Sequence, residues 1–246
     1  MNDDHQSAPP AAPKPGEAEF DNWAADYDVQ CMKGLALSGE SRDYFAVERA
    51  KYLARWWERT QRQPPEQIID YGCGDGAGTD VLAKAFPRAE IRGVDLSKRS
   101  IEAARTARRD ARIEFLDDQD HLAKPFEACL LHFSGVLHHV SPNERDSLLR
   151  SQTAMLRVGG TAVVFENNPL NPGTRWIMAR IPFDRDAVTL TAREAAARLR
   201  RQGLSIEHQT FLFWFPGALR WLRPLERYMC WIPFAAQYGV FASRRR

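Results

Sequence analysis

One short stretch, Ile68 to Thr79, carries the residues whose spacing most clearly indicates chemistry. An apolar run ends in Asp70, and glycines follow at every second position, at 72, 74, 76 and 78. Glycine is needed where a backbone must pass close to a ligand or adopt a positive φ. The stretch therefore predicts a buried strand that breaks into a ligand-binding loop. A helix over Asp80 to Phe86 should follow, with free N-terminal amides that can serve a polar group.

Acidic residues follow three consecutive predicted strands. Asp70 ends the first, Asp95 follows the second, and Asp117 and Asp118 follow the third. In an open α/β sheet the ligand lies outside the carboxyl ends of the strands, so these acids are expected in one cleft. A carboxylate can accept both hydroxyls of a ribose, whereas Asp70 and Asp75 would repel a pyrophosphate.

Two classes of cofactor use a glycine turn after the first strand. Dinucleotide enzymes favour Gly-x-Gly-x-x-Gly, and here the third position is Ala77, which that motif also accepts. The acids favour a ligand with a cationic amino-acid end, a ribose diol and an adenine amino group. S-adenosylmethionine fits this description and NAD fits it poorly. A dinucleotide oxidoreductase remains the less favoured alternative.

Strands and helices alternate from residue 66 onward, which predicts a doubly wound, mostly parallel α/β sheet. The predicted strands are Gln67–Tyr71, Glu90–Val94, Arg112–Leu116, Glu127–Phe133, Thr161–Glu166, Ser205–Phe213 and Gln237–Ala242. The predicted helices outside the glycine loop are Tyr44–Arg62, Lys98–Asp110, Asn143–Leu156 and Thr191–Arg201. Ser97 or Ser100 is expected to cap one of them, and Thr191 with Glu194 to form a capping box.

Composition and charge exclude several classes of protein. The net charge of +2 over 246 residues does not indicate a general polyanion binder. The four cysteines (31, 73, 129 and 230) contain no Cys-x-x-Cys pair and predict neither a disulfide framework nor a zinc site, so no metal is expected. The absence of a signal-peptide pattern and of a long apolar run favours a cytoplasmic protein. Residues 1–18 are expected to be a disordered tail and 19–246 a single domain.

Several motifs together resemble those of class I S-adenosylmethionine-dependent methyltransferases. They are Asp-Tyr-Gly-Cys-Gly-Asp-Gly from Asp70, Gly-Val-Asp-Leu-Ser from Gly93, Leu-Arg-Val-Gly-Gly-Thr from Leu156, the segment Phe133–Val140, and the opening Phe20–Tyr27. The last two are similar to the small-molecule branch that includes the ubiquinone/menaquinone biosynthesis methyltransferases. The resemblance covers roughly residues 20 to 210. It implies an enzyme with a Rossmann-like sheet of seven strands, the last one antiparallel, here with a helical insert before it.

The resemblance also implies roles for individual residues. Gly72, Gly74 and Gly76 would line the methionine part of the cofactor, with Asp70 near its ammonium group. Cys73 and Asp75, which lie between these glycines, belong to the same candidate set. Asp95 would accept the ribose hydroxyls, Leu96 would pack on the adenine, and Asp117 or, preferably, Asp118 would meet the adenine amino group. Phe133 and Ser134 would sit beside the sulfonium.

The sequence says less about the methyl acceptor than about the methyl donor. A neutral hydroxyl or a carbon acid would need a general base, for which His138 and His139 are candidates and Glu166 is another. Packing or loop structure is the alternative role for all three. The segment after strand four lacks an Asp/Asn-Pro-Pro-aromatic signature, and no basic domain is appended, so a nucleic-acid substrate is not expected.

Two stretches are expected to shape the acceptor site. The first, 167–190, offers the polar side chains of Asn167, Asn168, Asn171, Arg175, Asp184 and Asp186. The second, 215–234, has apolar residues at helical spacing with arginines between them. This pattern predicts an amphipathic helix that is broken or started by Pro224. The helix would cover the sheet edge, form a dimer contact, or lie on a membrane surface with help from the basic C-terminus. The expected acceptor is small and apolar or lipid-linked, methylated on oxygen or carbon. A non-catalytic, cofactor-binding regulator is the alternative.

Overall fold

The computed structural model describes residues 34–35, 38–60, 62–185 and 187–245. The expected disordered tail and the aromatic opening Phe20–Tyr27 lie outside the described residues.

A seven-stranded sheet forms the centre of the molecule, in the order β3-β2-β1-β4-β5-β7-β6. Strands β1 to β5 pair in parallel, and β7 runs antiparallel between β5 and β6. The strands are β1 (Gln67–Tyr71), β2 (Glu90–Asp95), β3 (Ile113–Asp117), β4 (Ala128–Ser134), β5 (Leu156–Asn167), β6 (Leu204–Leu212) and β7 (Gln237–Arg244). The predicted architecture, including the antiparallel last strand, is confirmed.

Helices cover both faces of this sheet. They are α1 (Arg42–Arg59), α2 (Ala77–Ala85), α3 (Lys98–Ala107), α4 (Asp118–Ala123), α5 (Arg145–Ala154), α6 (Pro172–Met178), α7 (Ala192–Arg201) and α8 (Glu226–Met229), with 3₁₀ turns at Leu137–His139, Pro182–Asp184 and Gly217–Leu225. Side chains alternate across each strand, so Ile69 joins the apolar cluster under α5 and α7, while Ile68 joins the one under α1 and α2. No helix in the described ranges is long and apolar enough to cross a bilayer.

Local capping explains where several helices begin. The Ser97 side chain accepts the Ser100 amide at the start of α3, and the Ser41 side chain accepts the Tyr44 amide at the start of α1. The predicted capping box of Thr191 and Glu194 is present at α7. Each of these bonds satisfies an amide that the helix itself leaves unpaired.

The structure differs from the sequence expectation in the two stretches outside the core alternation. Residues 167–190, expected as an irregular connection, contain α6, which begins where the Asn171 side chain accepts the Thr174 amide and Pro172 occupies the first turn. Residues 215–234 do not form one amphipathic helix. They form a 3₁₀ segment with a non-helical Leu219, followed by the short α8 after Pro224.

Candidate active site

A cavity of about 570 Å³ opens at the carboxyl ends of the central strands. Most of the predicted cofactor residues line it, namely Asp70, Gly72, Cys73, Gly74, Asp75, Asp95, Leu96 and Ser134. Helix α1 closes another side with Arg42, Phe45, Ala46 and Arg49, which share one helical face at spacings of three and four residues. The same face continues into the C-terminal half of α1, where it packs on the sheet with Leu53 fully buried. The helix therefore both covers the sheet and forms a wall of the cavity.

The glycine loop adopts backbone conformations that explain its composition. Gly72, Gly74 and Gly76 have φ values of +78°, +55° and +78°. A Cβ at Gly72 would lie 2.3 Å from the Val136 side chain, and one at Gly76 would lie 2.7 Å from the Phe115 ring. A Cβ at Gly74 would meet only a guanidinium nitrogen at 3.9 Å, so it would project into cavity space. Glycine is thus required for the turn at all three positions and for ligand space at 74.

Asp95 holds the loop in place from the end of β2. One carboxylate oxygen accepts the Gly74 amide at 2.9 Å, and the other accepts the Ser97 amide at 2.9 Å. Asp95 therefore fixes the glycine loop while lining the cavity, at the place where the resemblance implies contact with the ribose.

Asp70 is buried at the base of the cavity and joins three elements. Its carboxylate lies 2.8 Å from Nδ1 of His132 on β4, and it accepts the hydroxyl of Thr79 on α2 at 2.7 Å. His132 is its register partner on the neighbouring strand, so their side chains share one face of the sheet. Asp70 therefore links the base of the glycine loop to β4 through His132 and to α2 through Thr79.

Asp75, at the mouth of the loop, is paired with arginine. Arg42 of α1 lies 2.7 Å from its carboxylate, and Arg108 lies 3.8 Å away. Partial burial raises the pKa of Asp75, but the guanidinium of Arg42 outweighs it and the net pKa falls below its usual value. This pairing weakens the expected repulsion of anions by Asp75.

Four of the predicted cofactor-binding residues do not line the cavity. Asp117 accepts the amide of Asp120 at the start of α4, and Asp118 accepts the Tyr71 hydroxyl at 2.9 Å. Phe133 was expected beside the sulfonium, but strand alternation turns its fully buried ring into the core against Tyr71. Gly76 shapes the turn from behind, against Phe115. The predicted row of acids is nevertheless present. Asp70, Asp95 and Asp117 lie at the carboxyl ends of the neighbouring strands β1, β2 and β3, and Asp117 is in register with Asp95.

A cluster of charged side chains lies at the other end of the cavity. His138 Nδ1 is 2.5 Å from Glu166, and its Nε2 is 3.6 Å from Asp184, which is 3.2 Å from Nε2 of His139. Burial lowers the pKa of His138, but the two carboxylates outweigh it and raise that pKa to about 10. This raised pKa favours the imidazolium at neutral pH and so disfavours His138 as the general base. The role of His138 stays a prediction.

Glu166 is also unsuited to the role of base. It is fully buried, and besides His138 it accepts the backbone amides of Val136 and Leu137. Burial raises its pKa, but the His138 charge and these donors bring the net pKa below the usual value. Glu166 thus fixes the loop after β4.

His139 is the remaining candidate base, because it lines the cavity and is hydrogen-bonded to Asp184. His138, His139 and Asp184 each offer one donor atom within 4.8 Å of the others, a grouping that a metal ion could also use.

Sequence reasoning missed Arg42 and His132 as members of the site. The spacing of residues 42, 45, 46 and 49 could have indicated that the N-terminal half of α1 faces the cavity. A lone histidine inside the apolar β4 could have indicated a partner for Asp70. Of the polar residues in 167–190, Asn167 and Asp184 line the cavity, while Asn168 and Asn171 hold the backbone at 233–235. Asp186 lies outside the described residues.

Comparisons with known proteins agree with this geometry. Residues 68–160 match a family described as a methyltransferase domain. The trans-aconitate 2-methyltransferase of Pseudomonas paraeruginosa is 32% identical over 135 residues, which cover 54% of this chain and 48% of that protein. The enzyme of that name from Paracidovorax citrulli is 30% identical over 166 residues, covering 65% of this chain and 62% of that one. Residues 68–160 of this chain thus form a methyltransferase domain, on the Rossmann-like fold of the class I S-adenosylmethionine-dependent enzymes.

Solved structures share the fold of this methyltransferase domain. A S-adenosylmethionine-dependent methyltransferase from Mesorhizobium loti superposes with a TM-score of 0.55 at 23% identity, covering 78% of this chain and 98% of that one. A mitomycin 7-O-methyltransferase superposes with a TM-score of 0.61 at 19% identity, covering 93% and 64%. The chain spans only about half of the first curated relative and 62% of the second.

S-adenosylmethionine is the cofactor of this methyltransferase domain, as the acid pattern predicted. The residues present fit it. The left-handed glycines leave room beside the backbone, the Asp95 carboxylate lines the cavity next to them, and the exposed Leu96 side chain lies at its rim. The contacts of individual residues with the cofactor remain predictions.

Proposed function

We propose that the protein is an enzyme that moves the methyl group of S-adenosylmethionine to oxygen or carbon of a small, neutral and largely apolar acceptor. The observation that carries this is the composition of the cavity beyond the glycine loop. Its wall there consists of Val136, Val140, Ile177, Met178, Ile181 and Phe183, next to His139. An apolar wall with one polar corner fits a mainly hydrophobic acceptor with one reactive group.

When bound, the cofactor supplies a methyl group made electrophilic by the adjacent sulfonium. The protein's own part is to place the acceptor in line and to exclude water. His139 lines the cavity with its Nε2 3.2 Å from Asp184, so its ring is within reach of an acceptor bound there. His139 is thus the candidate base for a neutral hydroxyl, while His138 and Glu166 hold the loop on which it stands.

The charges of the cavity argue against an acceptor like the one in the names of the curated relatives. A polycarboxylate needs cations that are not already paired with acids. Arg42 is paired with Asp75, whereas Arg49 donates to the neutral amide of Gln237 at 2.9 Å. Asp43 and Asp184 also line the cavity and add negative charge. This balance of charges favours a neutral acceptor over trans-aconitate.

Methyl-labelled S-adenosylmethionine and a cell extract provide the test. The expected result is label in the organic-solvent phase, absent with Asp95→Asn, with the ¹³C shift of the transferred methyl distinguishing oxygen from carbon. Efficient labelling of trans-aconitate would contradict the neutral acceptor. Cofactor binding without transfer to any fraction would favour the non-catalytic alternative.

A further inference from the structure

The segment between β6 and β7 exposes an unusual set of large apolar side chains. We call this set the aromatic face: Leu219, Trp221, Leu225, Tyr228, Trp231 and Phe234. The Trp221 and Trp231 side chains are 72% and 73% exposed. The Trp231 indole N–H donates to the Tyr228 carbonyl, so its polar atom is satisfied within the protein while its ring faces outward. Exposed apolar surface on this scale marks an interaction site.

Two points of this segment are bonded to elements beside the cavity. Near its middle, Arg223 bonds Glu40 at 2.5 Å and stacks on the Tyr44 ring at 4.6 Å, next to the cavity-lining part of α1. At its end, the Phe234 carbonyl accepts from Asn171, which caps α6. These contacts fix the position of the aromatic face beside the cavity.

Helix α6 continues this surface and connects it to the cavity. Its Ile177 and Met178 line the cavity, whereas Trp176 is exposed on the other side with the Arg180 guanidinium 3.5 Å above its ring. One short helix thus has an outer aromatic side and an inner apolar side. An apolar molecule leaving the surface would meet the cavity within the width of this helix.

The exposed charges of α6 and of the segment that carries the aromatic face have one sign. Residues 172–180 and 217–234, all of them described, expose Arg175, Arg180, Arg220 and Arg227. The single acid in these ranges, Glu226, is turned inward and accepts the amides of Trp214 and Phe215. Exposed Trp and Tyr with arginine and without acids is the composition of a surface that lies on an anionic bilayer.

We propose that the aromatic face docks on an anionic lipid bilayer and that the acceptor reaches the cavity from that bilayer as a lipid or a lipid-linked molecule. The part concerning the acceptor rests on the proposed function; the docking does not. The basic C-terminus, expected to assist, does not belong to this surface. Arg244 donates to the Leu156 carbonyl at the far edge of the sheet, where β7 ends.

Vesicle flotation tests the docking without cofactor or acceptor. The vesicles are phosphatidylcholine with and without phosphatidylglycerol. We expect the unaltered protein to float with the anionic vesicles and much less with the neutral ones. Trp221→Ser with Trp231→Ser, and separately Arg220→Glu with Arg227→Glu, should each lower the bound fraction about tenfold or more.

Matched controls come from the opposite edge of the sheet. Val158 and Arg157 are exposed there, so Val158→Ser and Arg157→Glu should float like the unaltered protein. Equal losses in the controls, or no flotation with either composition, would overturn the docking. So would a dimer in sedimentation velocity that the tryptophan substitutions dissociate, because a second copy would then cover the face.

The same protein separates this proposal from the proposed function. Transfer of label to detergent-solubilised lipid without any flotation would overturn the docking alone. Flotation without transfer to any acceptor would overturn the proposed function alone.

Discussion

At His138, burial and two carboxylates act in opposite directions on the pKa. Withdrawal from water disfavours the imidazolium, while Glu166 and Asp184 favour it and prevail. The histidine next to it in sequence has the partner Asp184 but keeps access to the cavity. The two adjacent histidines therefore have different surroundings, because acids enclose the His138 ring whereas the His139 ring faces the cavity.

The raised pKa of His138 predicts a pH dependence of stability. Its folded pKa of about 10 exceeds its ordinary value of 6.5, so its contribution is complete below 6.5 and is lost as the pH rises toward 10. Between pH 6.5 and 9 we expect the free energy of unfolding to fall by about 1–3 kcal/mol more than in His138→Gln. Urea unfolding at several pH values measures this, and parallel pH curves for the two proteins would contradict the ion pair.

His139→Gln tests the assignment of the base. Loss of a positioned base lowers turnover by about 10²–10⁴-fold, and we expect a fall in that range if the acceptor is a hydroxyl. Affinity for S-adenosylhomocysteine should not change, because the histidine lies at the acceptor end of the cavity. The remote His208→Gln serves as the control, since His208 lies on the edge strand β6, where it is bonded to Tyr52 of α1. Unchanged turnover in His139→Gln would remove the base from the account.

At the scale of elements, the glycine loop and α2 offer a contrast between neighbouring glycines. Gly76 has φ of +78° and faces the Phe115 ring, so Gly76→Ala should cost about 1–3 kcal/mol of unfolding free energy. Gly78 lies in α2 with nothing within 4 Å of its would-be Cβ. Gly78→Ala should leave stability unchanged or raise it by up to about 1 kcal/mol. Urea unfolding without cofactor measures both, and equal effects would contradict the strained turn.

Periodic elements were predictable, and elements fixed by long-range contacts were not. β1 was predicted with its observed bounds because an apolar run and a glycine turn delimit it. The acids were placed at one edge because parallel strands bring their carboxyl ends together. The cluster of His138, Glu166 and Asp184 was not predictable as a unit, since it depends on how the 167–190 segment returns over the loop after β4. α6 was missed because a short helix set by one cap and one proline has no detectable period.

At the scale of the whole molecule, the glycine loop, His139 and the aromatic face lie at one edge of the sheet. Helices α1 and α6 both line the cavity, and the segment between β6 and β7 is bonded beside both. Arg157 and Arg244 lie at the opposite edge. Together, the two proposals would have one sheet edge bind a water-soluble donor and receive an apolar acceptor from another direction.

Calorimetric titration with S-adenosylhomocysteine tests the central claim most directly, because it needs no knowledge of the acceptor. We predict saturable binding with one site per chain, no heat with NADH, and an affinity about 10–100-fold lower in Asp95→Asn, since a hydrogen bond to a charged group contributes about 1.5–3 kcal/mol. Thermal unfolding should show that this variant is still folded. A folded protein that does not bind S-adenosylhomocysteine, or whose Asp95→Asn variant binds it equally well, would contradict the account.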